Sequence, residues 1–107
     1  MNQPTAEDRP HPLTGAQRRR LRGLAHSLKP VVRVGQQGLT DGVWKEMERA
    51  LDSHELIKIQ LPGDKAEKKA LMAEIDERMA SQSAGLIGHI AIFYRRHREP
   101  DKRSIRL

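Results

Sequence analysis

The chain has 107 residues and no cysteine, and it carries 20 Lys and Arg residues against 14 Asp and Glu residues. A chain of this length suits one domain with a single core, too small for a deep catalytic cavity, and without thiols it has neither a disulfide framework nor a thiolate metal site. The net charge of +6 favours a polyanionic partner, either a nucleic acid or an anionic membrane surface.

The N-terminal segment 1–12 contains three prolines and few apolar side chains, which predicts a flexible tail. It lacks the apolar segment of a secretory signal, and no run in the chain approaches the roughly 20 apolar residues of a membrane span. The lack of cysteine fits a reducing compartment. We therefore expect a cytoplasmic protein with no membrane partner.

The first helix is predicted to begin near Leu13, with Thr14 as its N-cap. Its leucines recur at helical spacing and are expected to form one apolar stripe, at positions 13, 21, 24 and 28. Pro30 prevents the helix from continuing, because its ring clashes with the preceding turn. The β-branched run 31–34 then predicts the first strand.

A second helix is predicted from its N-cap Thr40 to about Ser53. Residues 55–61 alternate with a period of two, which predicts the second strand. After a turn at Pro62-Gly63, Asp64 has the capping-box spacing to Glu67, which predicts a third helix that ends near residue 81.

A break is expected at residues 83–85, before a closing β-hairpin at 86–94 that turns at Gly88-His89. Residues 97–107 are polar and basic, and we expect a C-terminal tail there. The element order αβαβαββ predicts an α/β two-layer sandwich with a four-stranded mixed sheet, in a domain that spans residues 13–96. The first two strands should be parallel, and the hairpin should add antiparallel pairing.

The segment Gly35-Gln36-Gln37-Gly38 is the main candidate for a binding site, because it joins a strand to the start of a helix. Glycine lets the backbone approach a ligand closely, and the first turn of a helix offers free N–H groups and a positive dipole end to a phosphate. The two glutamines can bond sugar or base edges, and Arg33 and Lys45 can add charge. A tight strand-to-helix turn without a ligand is the alternative.

Charge is unevenly distributed along the chain, with a net charge of +5 in residues 1–45, −3 in residues 46–85 and +4 in residues 86–107. Residues 14–38 contain no acid. This pattern indicates a basic face and an acidic middle. For the arginines of the first helix, a solvated helix face is the alternative to phosphate contact. The further basic residues that we expect at a nucleic-acid site are Arg18, Arg19, Arg22, His26, Lys29 and Arg95. For His26 the alternative is capping of backbone carbonyl oxygens, and for Arg95 it is a place in a disordered chain end.

Other chemistry is not indicated by the sequence. The five histidines show neither HxxxH nor HExxH spacing, no nucleophile motif is present, and we expect no enzyme, no cofactor and no metal. Of the three aromatic residues, Phe93 is expected in the core, whereas Trp44 and Tyr94 are not expected to be buried together. With so few aromatics, binding is expected to rely on phosphate contacts and shape, which suits folded RNA.

Four runs in the chain carry a likeness to a known family: Leu24-Ala25-His26, Leu28-Lys29-Pro30-Val31, Val34-Gly35-Gln36-Gln37-Gly38-Leu39-Thr40 and His54-Glu55-Leu56-Ile57-Lys58. They resemble the CRM domain, and in particular the compact YhbY-like proteins of bacteria. The likeness continues through Ile87-Gly88 and Tyr94-Arg95 and covers about residues 13–96. The resemblance implies a fold like the C-terminal domain of translation initiation factor 3, and RNA binding through the GxxG loop and the adjacent basic surface. It also implies a role with maturing large ribosomal subunits.

Two hypotheses from different classes follow. The first is a monomeric protein that binds structured ribosomal RNA and assists assembly of the large subunit. The second is a protein-interaction adaptor, whose acidic face on the second and third helices docks a partner. Binding that survives loss of the basic residues would indicate the adaptor.

Overall fold

The computed structural model describes residues 12–107, so the tail predicted at residues 1–12 lies almost entirely outside the described residues. The predicted order αβαβαββ is confirmed. The elements are α1 (Gly15–Ala25), β1 (Val32–Arg33), α2 (Asp41–His54), β2 (Leu56–Gln60), α3 (Lys65–Met79), β3 (Gln82–Ile87) and β4 (Ile90–Tyr94), with a 3-10 helix at Pro100–Lys102.

The three helices begin where their capping residues predict. Thr14 Oγ1 accepts a hydrogen bond from the Gln17 N–H at 3.1 Å, and Thr40 Oγ1 accepts one from the Val43 N–H at 3.3 Å. The Asp64 carboxylate accepts from the Glu67 N–H at 2.8 Å, and the Glu67 side chain accepts in return from the Asp64 N–H. These bonds satisfy amides that would otherwise lack a partner at the start of each helix.

The strands form one mixed sheet in the order β1-β2-β4-β3. β1 and β2 are parallel and are joined through α2, while β4 pairs antiparallel with both β2 and β3. The predicted α/β two-layer fold with a four-stranded mixed sheet is confirmed. β2 and β4 occupy the centre, and β1 and β3 are the edges.

The main core lies between the sheet and the layer formed by α2 and α3. It includes Met47 and Leu51 of α2, Ile75 of α3, and Ile59 and Phe93 of the central strands, each exposed by 1% or less. Burial of such side chains is the main contribution to the free energy of folding. This core therefore fixes the position of the loop that joins β1 to α2.

α1 packs against the opposite face of the sheet. A second, smaller cluster there includes Leu21 and Ala25 of α1 with Ile92 and Tyr94 of β4. Successive residues of a strand point to opposite faces, so Phe93 belongs to the main core and its two neighbours belong to this cluster. The sheet is consequently apolar on both faces where α1 covers it.

α1 ends earlier than its leucine stripe predicts. The helix ends at Ala25, and Leu24 and Leu28 are exposed by 43% and 39%, so the prediction of one buried stripe is wrong for these two. Leu28 lies in the connection to β1, which passes over β2. The Lys58 ammonium donates a hydrogen bond to the Leu28 carbonyl oxygen at 3.0 Å, and the Val31 N–H donates to the Lys58 carbonyl oxygen at 3.0 Å. These two bonds attach the connection to β2.

The break predicted at residues 83–85 is wrong, because β3 already begins at Gln82. The strand pairs with β4 over its whole length, and its register shifts between Ser83 and Gly85 as in a β-bulge. The helix-to-strand turn lies earlier, at Ala80, which has the left-handed conformation with φ of +52°. Glycine and serine therefore mark a bulge here and not a loop.

The C-terminal segment is not the free tail that its composition predicts. The buried Glu55 carboxylate accepts hydrogen bonds from the His97 N–H at 2.7 Å, the Ser104 N–H at 2.7 Å and the Ile105 N–H at 3.2 Å. The Ile105 side chain also packs against the cluster under α1. Glu55 follows the last residue of α2, so one carboxylate attaches the chain end to the domain.

Candidate nucleic-acid interface

Residues 35–38, here called the GxxG loop, form an exposed turn between β1 and α2. The Gly38 N–H donates to the Gly35 carbonyl oxygen at 3.0 Å, and Gly38 has a φ of +76°, which side chains rarely tolerate. Gln36 and Gln37 are both exposed. An ideal Cβ built on Gly35 meets no atom within 4 Å. Packing therefore does not require glycine at position 35, and the backbone there is open to a ligand.

The start of α2 is less suited to phosphate than the sequence predicts. The Thr40 N–H donates to the Gly38 carbonyl oxygen at 3.1 Å, and Asp41 lies exposed in the first helical turn. The Asp41 carboxylate stabilises the helix dipole, but it repels a phosphate at the same place. The backbone and glutamine side chains of the GxxG loop are therefore the stronger candidates for RNA contact.

The arginines of α1 form a basic helix face, and one carboxyl group lies near it: burial raises the pKa of Asp76, and the Arg18 charge is among the influences that oppose this. Arg18, Arg19 and Arg22 are exposed, and none forms an ion pair with an acid of residues 12–107. Two of them are held in place through backbone oxygens. Arg22 Nη1 donates to the Ala84 carbonyl oxygen at 2.9 Å, and Arg18 Nη1 donates to the Leu13 carbonyl oxygen at 3.1 Å. Their charges remain available to an anion.

Gly85 explains why Arg22 can lie flat against β3. An ideal Cβ built at position 85 would come within 2.8 Å of the Arg22 Cδ atom. Any other residue there must therefore displace the arginine side chain. The close approach orients the Arg22 guanidinium before any ligand binds, which lowers the entropy lost on binding.

His26 and Lys29 are exposed in the connection between α1 and β1. The Lys58 ammonium donates to the carbonyl oxygens of His26 at 3.4 Å and Leu28 at 3.0 Å, so the connection is attached to β2 on both sides of Ser27. Lys29 lies next to a shallow apolar groove that Leu24, Leu28 and Val31 help to line. Lys58 thus adds positive charge beneath this connection.

Arg33 and Lys45 flank the GxxG loop from opposite sides of the sheet. Val32 and Val34 are buried in the main core, so Arg33 between them points to the α1 side, where it is exposed. Lys45 is exposed on α2, about 6 Å along the helix axis from its first residue. Only Arg33 shares a surface with the α1 arginines.

Arg95 has a structural role and does not belong with the expected RNA-binding residues. Its guanidinium forms two bonds to the Glu48 carboxylate, at 2.9 Å and 3.0 Å, and one to Asp52 at 2.9 Å. It also donates to the Met79 carbonyl oxygen at 3.0 Å, and its side chain is only 17% exposed. Arg95 follows β4 and links it to α2 and α3. The sequence could not show this, because the partner carboxylates lie more than forty residues away.

The prediction that Trp44 and Tyr94 are not buried together is wrong. Trp44 is exposed by 6% and Tyr94 by 5%, because Trp44 packs in the main core and Tyr94 under α1. Phe93 is fully buried, as predicted. The Arg78 guanidinium also covers the Trp44 ring, at 4.3 Å from its centroid. None of the aromatic rings of the chain is therefore available for base stacking.

Two residues of β2 belong to the basic surface but were not predicted from the sequence. Lys58 and Gln60 point to the same side of the sheet as Arg33, which pairs with Gln60 in register. The signal was present in the alternation of β2, which separates these polar residues from Ile57 and Ile59. Only the packing of α1 shows that part of this polar side remains uncovered.

Within residues 12–107, no group of three or more His, Cys, Asp or Glu side chains is placed to bind a metal ion. No helix in this part of the chain is both long and apolar enough to span a membrane.

Comparison with known proteins connects this geometry to a family. The family model of the CRS1 / YhbY (CRM) domain matches residues 13–95. A Pseudomonas aeruginosa protein named "Probable RNA-binding protein PA4753" is 40% identical over 91 residues, which covers 84% of this chain and 88% of that protein. A Haemophilus influenzae protein named "RNA-binding protein" is 47% identical over 85 residues, 78% of this chain and 85% of the relative.

The fold comparison agrees with the sequence comparison. The solution structure of SAV1595 from Staphylococcus aureus matches with a TM-score of 0.76 at 30% identity, over 88% of this chain and 99% of that chain. The matched region contains the GxxG loop, the basic face of α1 and all four strands. Because both its fold and most of its sequence match, the chain belongs to the CRS1 / YhbY (CRM) domain family.

Proposed function

We propose that this protein binds structured RNA through the GxxG loop, the arginines of α1 and Lys29. The observation that carries the proposal is the row of exposed arginines on α1, none of which forms an ion pair with an acid of residues 12–107. Lys and Arg groups without acidic partners supply the counterion-release contribution that dominates nucleic-acid affinity. The names of the relatives from P. aeruginosa and H. influenzae describe RNA binding and no catalysis, which supports the same conclusion.

The RNA in this proposal is ribosomal RNA of the large subunit, bound during subunit assembly in the cytoplasm by a monomer without a cofactor. The resemblance to stand-alone bacterial YhbY-like proteins supports this assignment. The buried aromatic rings support a folded target, because recognition of single-stranded bases depends on stacking.

The adaptor alternative has less support from the structure. Its acidic face requires free carboxylates on α2 and α3, but Glu48 and Asp52 are paired with Arg95. Asp76 accepts hydrogen bonds from the Ser81 hydroxyl and the Ser83 N–H, both within the domain. These carboxylates stabilise the fold and leave a smaller acidic surface for a partner.

The first test is the affinity for fragments of large-subunit ribosomal RNA at several salt concentrations. If about four phosphates are neutralised, log affinity should fall against log salt with a slope of roughly −3 to −4. A steep slope together with selectivity among fragments supports recognition of structured RNA. Equal affinity for every polyanion would leave only a general basic surface, and absence of binding at low salt would overturn the proposal.

A second test uses charge reversal at Arg19, Arg22 and Lys29. The triple change to Glu is expected to reduce affinity by at least tenfold, since it removes three positive charges and adds three negative ones next to phosphates. The matched control reverses exposed charges on α2 and α3, at Arg49, Lys65 and Lys69. If both triple variants melt like the original protein and bind equally well, the α1 surface is not the RNA site.

The GxxG loop can be tested without disturbing the fold. Gly35→Ala places a methyl group in open space and requires no positive φ, so stability should be unchanged. If RNA approaches this backbone closely, affinity should fall several-fold. Gly15→Ala, also in open space but at the start of α1, is the control. Unchanged affinity for Gly35→Ala would remove close backbone approach from the proposed contact.

A further inference from the structure

α1 covers only part of its face of the sheet, and the remainder forms a row of four residues that crosses all four strands. Arg33 of β1 pairs with Gln60 of β2, Gln60 pairs with Ile90 of β4, and Ile90 pairs with Ile87 of β3. These four residues are here called the open sheet face.

The direction of these side chains follows from the strand pattern. Paired residues on neighbouring strands point to the same side, and so do residues two apart on one strand. Ile92 and Tyr94 pack under α1, so Ile90, and with it the whole row, lies on the α1 side. Ile87 is exposed by 67% and Arg33 is exposed, while Gln60 and Ile90 are half-buried. α1 therefore stops short of this row.

The open sheet face connects the two parts of the proposed RNA surface. The GxxG loop begins two residues after Arg33, at the same end of the sheet. On the other side, Arg22 lies over Gly85, which pairs with Ile92 in the row next to the open sheet face. Neither α1 nor any of the four strands contains an acid. A polyanion is therefore the partner whose charge this surface complements.

A cation lies near each edge of the open sheet face, and the side chains between them in that row are uncharged. Lys58, two residues before Gln60 on β2, is directed to the His26 and Leu28 carbonyl oxygens. Arg33 is on the edge strand β1 and Arg22 lies over the edge strand β3, three strand spacings or about 14 Å away. Between them lie the Gln60 amide and the aliphatic side chains of Ile87 and Ile90. This order suits a groove, in which two phosphate backbones border a floor of sugar and base edges.

The RNA form can be inferred from what the surface lacks. A sheet that binds single-stranded RNA presents aromatic rings on which bases stack, but here the open sheet face carries isoleucine, glutamine and arginine. The minor groove of an A-form helix is wide and shallow and displays ribose 2′-hydroxyls. A flat sheet with an amide and short aliphatic side chains fits such a groove, and a glutamine amide can both donate to and accept from a hydroxyl.

We propose that the open sheet face lies on the minor groove of a double-helical RNA segment, with Arg22 and Arg33 on the bordering phosphates and Gln60 at the 2′-hydroxyls. The proposal rests on the proposed RNA-binding function and specifies its target as A-form helix. Discrimination between RNA and DNA duplexes then depends on Gln60.

The experiment measures affinity by fluorescence anisotropy for three probes of one sequence. They are an RNA duplex of about 16 base pairs, the matching DNA duplex and one RNA strand alone. The RNA duplex should bind at least about tenfold more tightly than either other probe. Gln60→Ala should reduce the preference for RNA over DNA several-fold, because the amide that contacts the 2′-hydroxyl is removed.

Ile87→Glu tests the open sheet face at an exposed position, whereas Gln60 is half-buried. Ile87 is 67% exposed, so the change leaves the core intact and should weaken RNA duplex binding by about tenfold through repulsion of phosphates. Ala73→Glu places the same charge on an exposed position of α3 and should leave affinity unchanged. Thermal melts of all variants report whether the fold is retained.

The outcomes separate this inference from the proposed function. If charge reversal on α1 abolishes RNA binding while Ile87→Glu and Gln60→Ala bind like the original protein, the open sheet face is not a contact and the proposed function stands. Tighter binding of the single strand, or equal binding of the DNA duplex, overturns the assignment to the minor groove. If none of the three probes binds at low salt while the ribosomal RNA fragments do, the assignment to the minor groove is overturned and the proposed function stands.

Discussion

Glu55 gives the sharpest test of how the chain end is held. Its carboxylate accepts hydrogen bonds from the N–H groups of His97, Ser104 and Ile105 and from the Ser104 hydroxyl, at 2.7 to 3.2 Å. Glu55 also has a φ of +60°, a conformation that costs a non-glycine residue about 1–3 kcal/mol. The side-chain bonds must therefore outweigh a backbone penalty.

The loss of stability expected for Glu55→Gln follows from these contacts. The amide oxygen can still accept from Ser104 and Ile105, but the amide NH₂ group then faces the His97 N–H, donor against donor. One bond to a charged acceptor is lost, at about 1.5–3 kcal/mol, and the others become weaker neutral bonds. We expect the free energy of unfolding to fall by about 3 kcal/mol. With an m-value of about 1.5 kcal/mol per M urea, the midpoint should fall by about 2 M.

The pH dependence of stability provides an independent test of these contacts. Burial raises the pKa of Glu55, but hydrogen bonds from His97, Ser104 and Ile105 outweigh it, so the pKa lies below its ordinary value of 4.5. A carboxylate with a lowered pKa in the folded state stabilises the protein fully above its ordinary pKa. That contribution is lost as the pH falls through the lowered pKa. The difference in stability between the original protein and Glu55→Gln should therefore shrink below about pH 4.5.

The assay is urea unfolding followed by circular dichroism at pH 7 and at intervals down to pH 3.5, with hydrogen exchange at the His97, Ser104 and Ile105 amides. Glu77→Gln, an exposed position on α3, is the control for loss of one negative charge. The three amides should exchange faster in Glu55→Gln only. Equal midpoints for the two variants at pH 7, with all three amides still protected, would refute the claim that Glu55 holds the chain end.

Two further predictions concern stability. Ala80→Gly should raise the free energy of unfolding by about 0.5–1 kcal/mol, because Ala80 ends α3 in the left-handed conformation that glycine adopts without strain, and a lower urea midpoint would contradict this reasoning. Arg95→Lys should lower the free energy of unfolding by about 1 kcal/mol, because a lysine cannot bond Glu48, Asp52 and the Met79 carbonyl together. RNA affinity should stay within twofold. A large loss of RNA affinity in Arg95→Lys would indicate that Arg95 contacts RNA.

The parts of the fold that were predictable are those with causes local in sequence. Thr14, Thr40 and Asp64 each cap a helix through an N–H three residues ahead, and this spacing can be read directly. The strand β2 shows its alternation within five residues. The order of the elements, and with it the fold class, follows from such local signals.

The predictions that proved wrong concern features whose cause is distant in sequence. β3 exists because β4 pairs with it, and its Ser83–Gly85 irregularity resembles a loop when read alone. Trp44 and Tyr94 are both buried because α1 provides a second apolar cluster on the other side of the sheet. Neither the pairing nor the second cluster has a local signature.

The sequence by itself determined the element order, the helix starts, the exposed GxxG loop and the acid-free stretch from which the basic surface is built. Only the tertiary structure decided which cations lie on that surface. Arg22 and Arg33 remain without an acidic partner among residues 12–107, whereas Arg95 is paired with Glu48 and Asp52. The reason is physical: a charge is available to a ligand only if folding leaves no opposite charge beside it. That depends on which residues packing brings together, and not on their order along the chain.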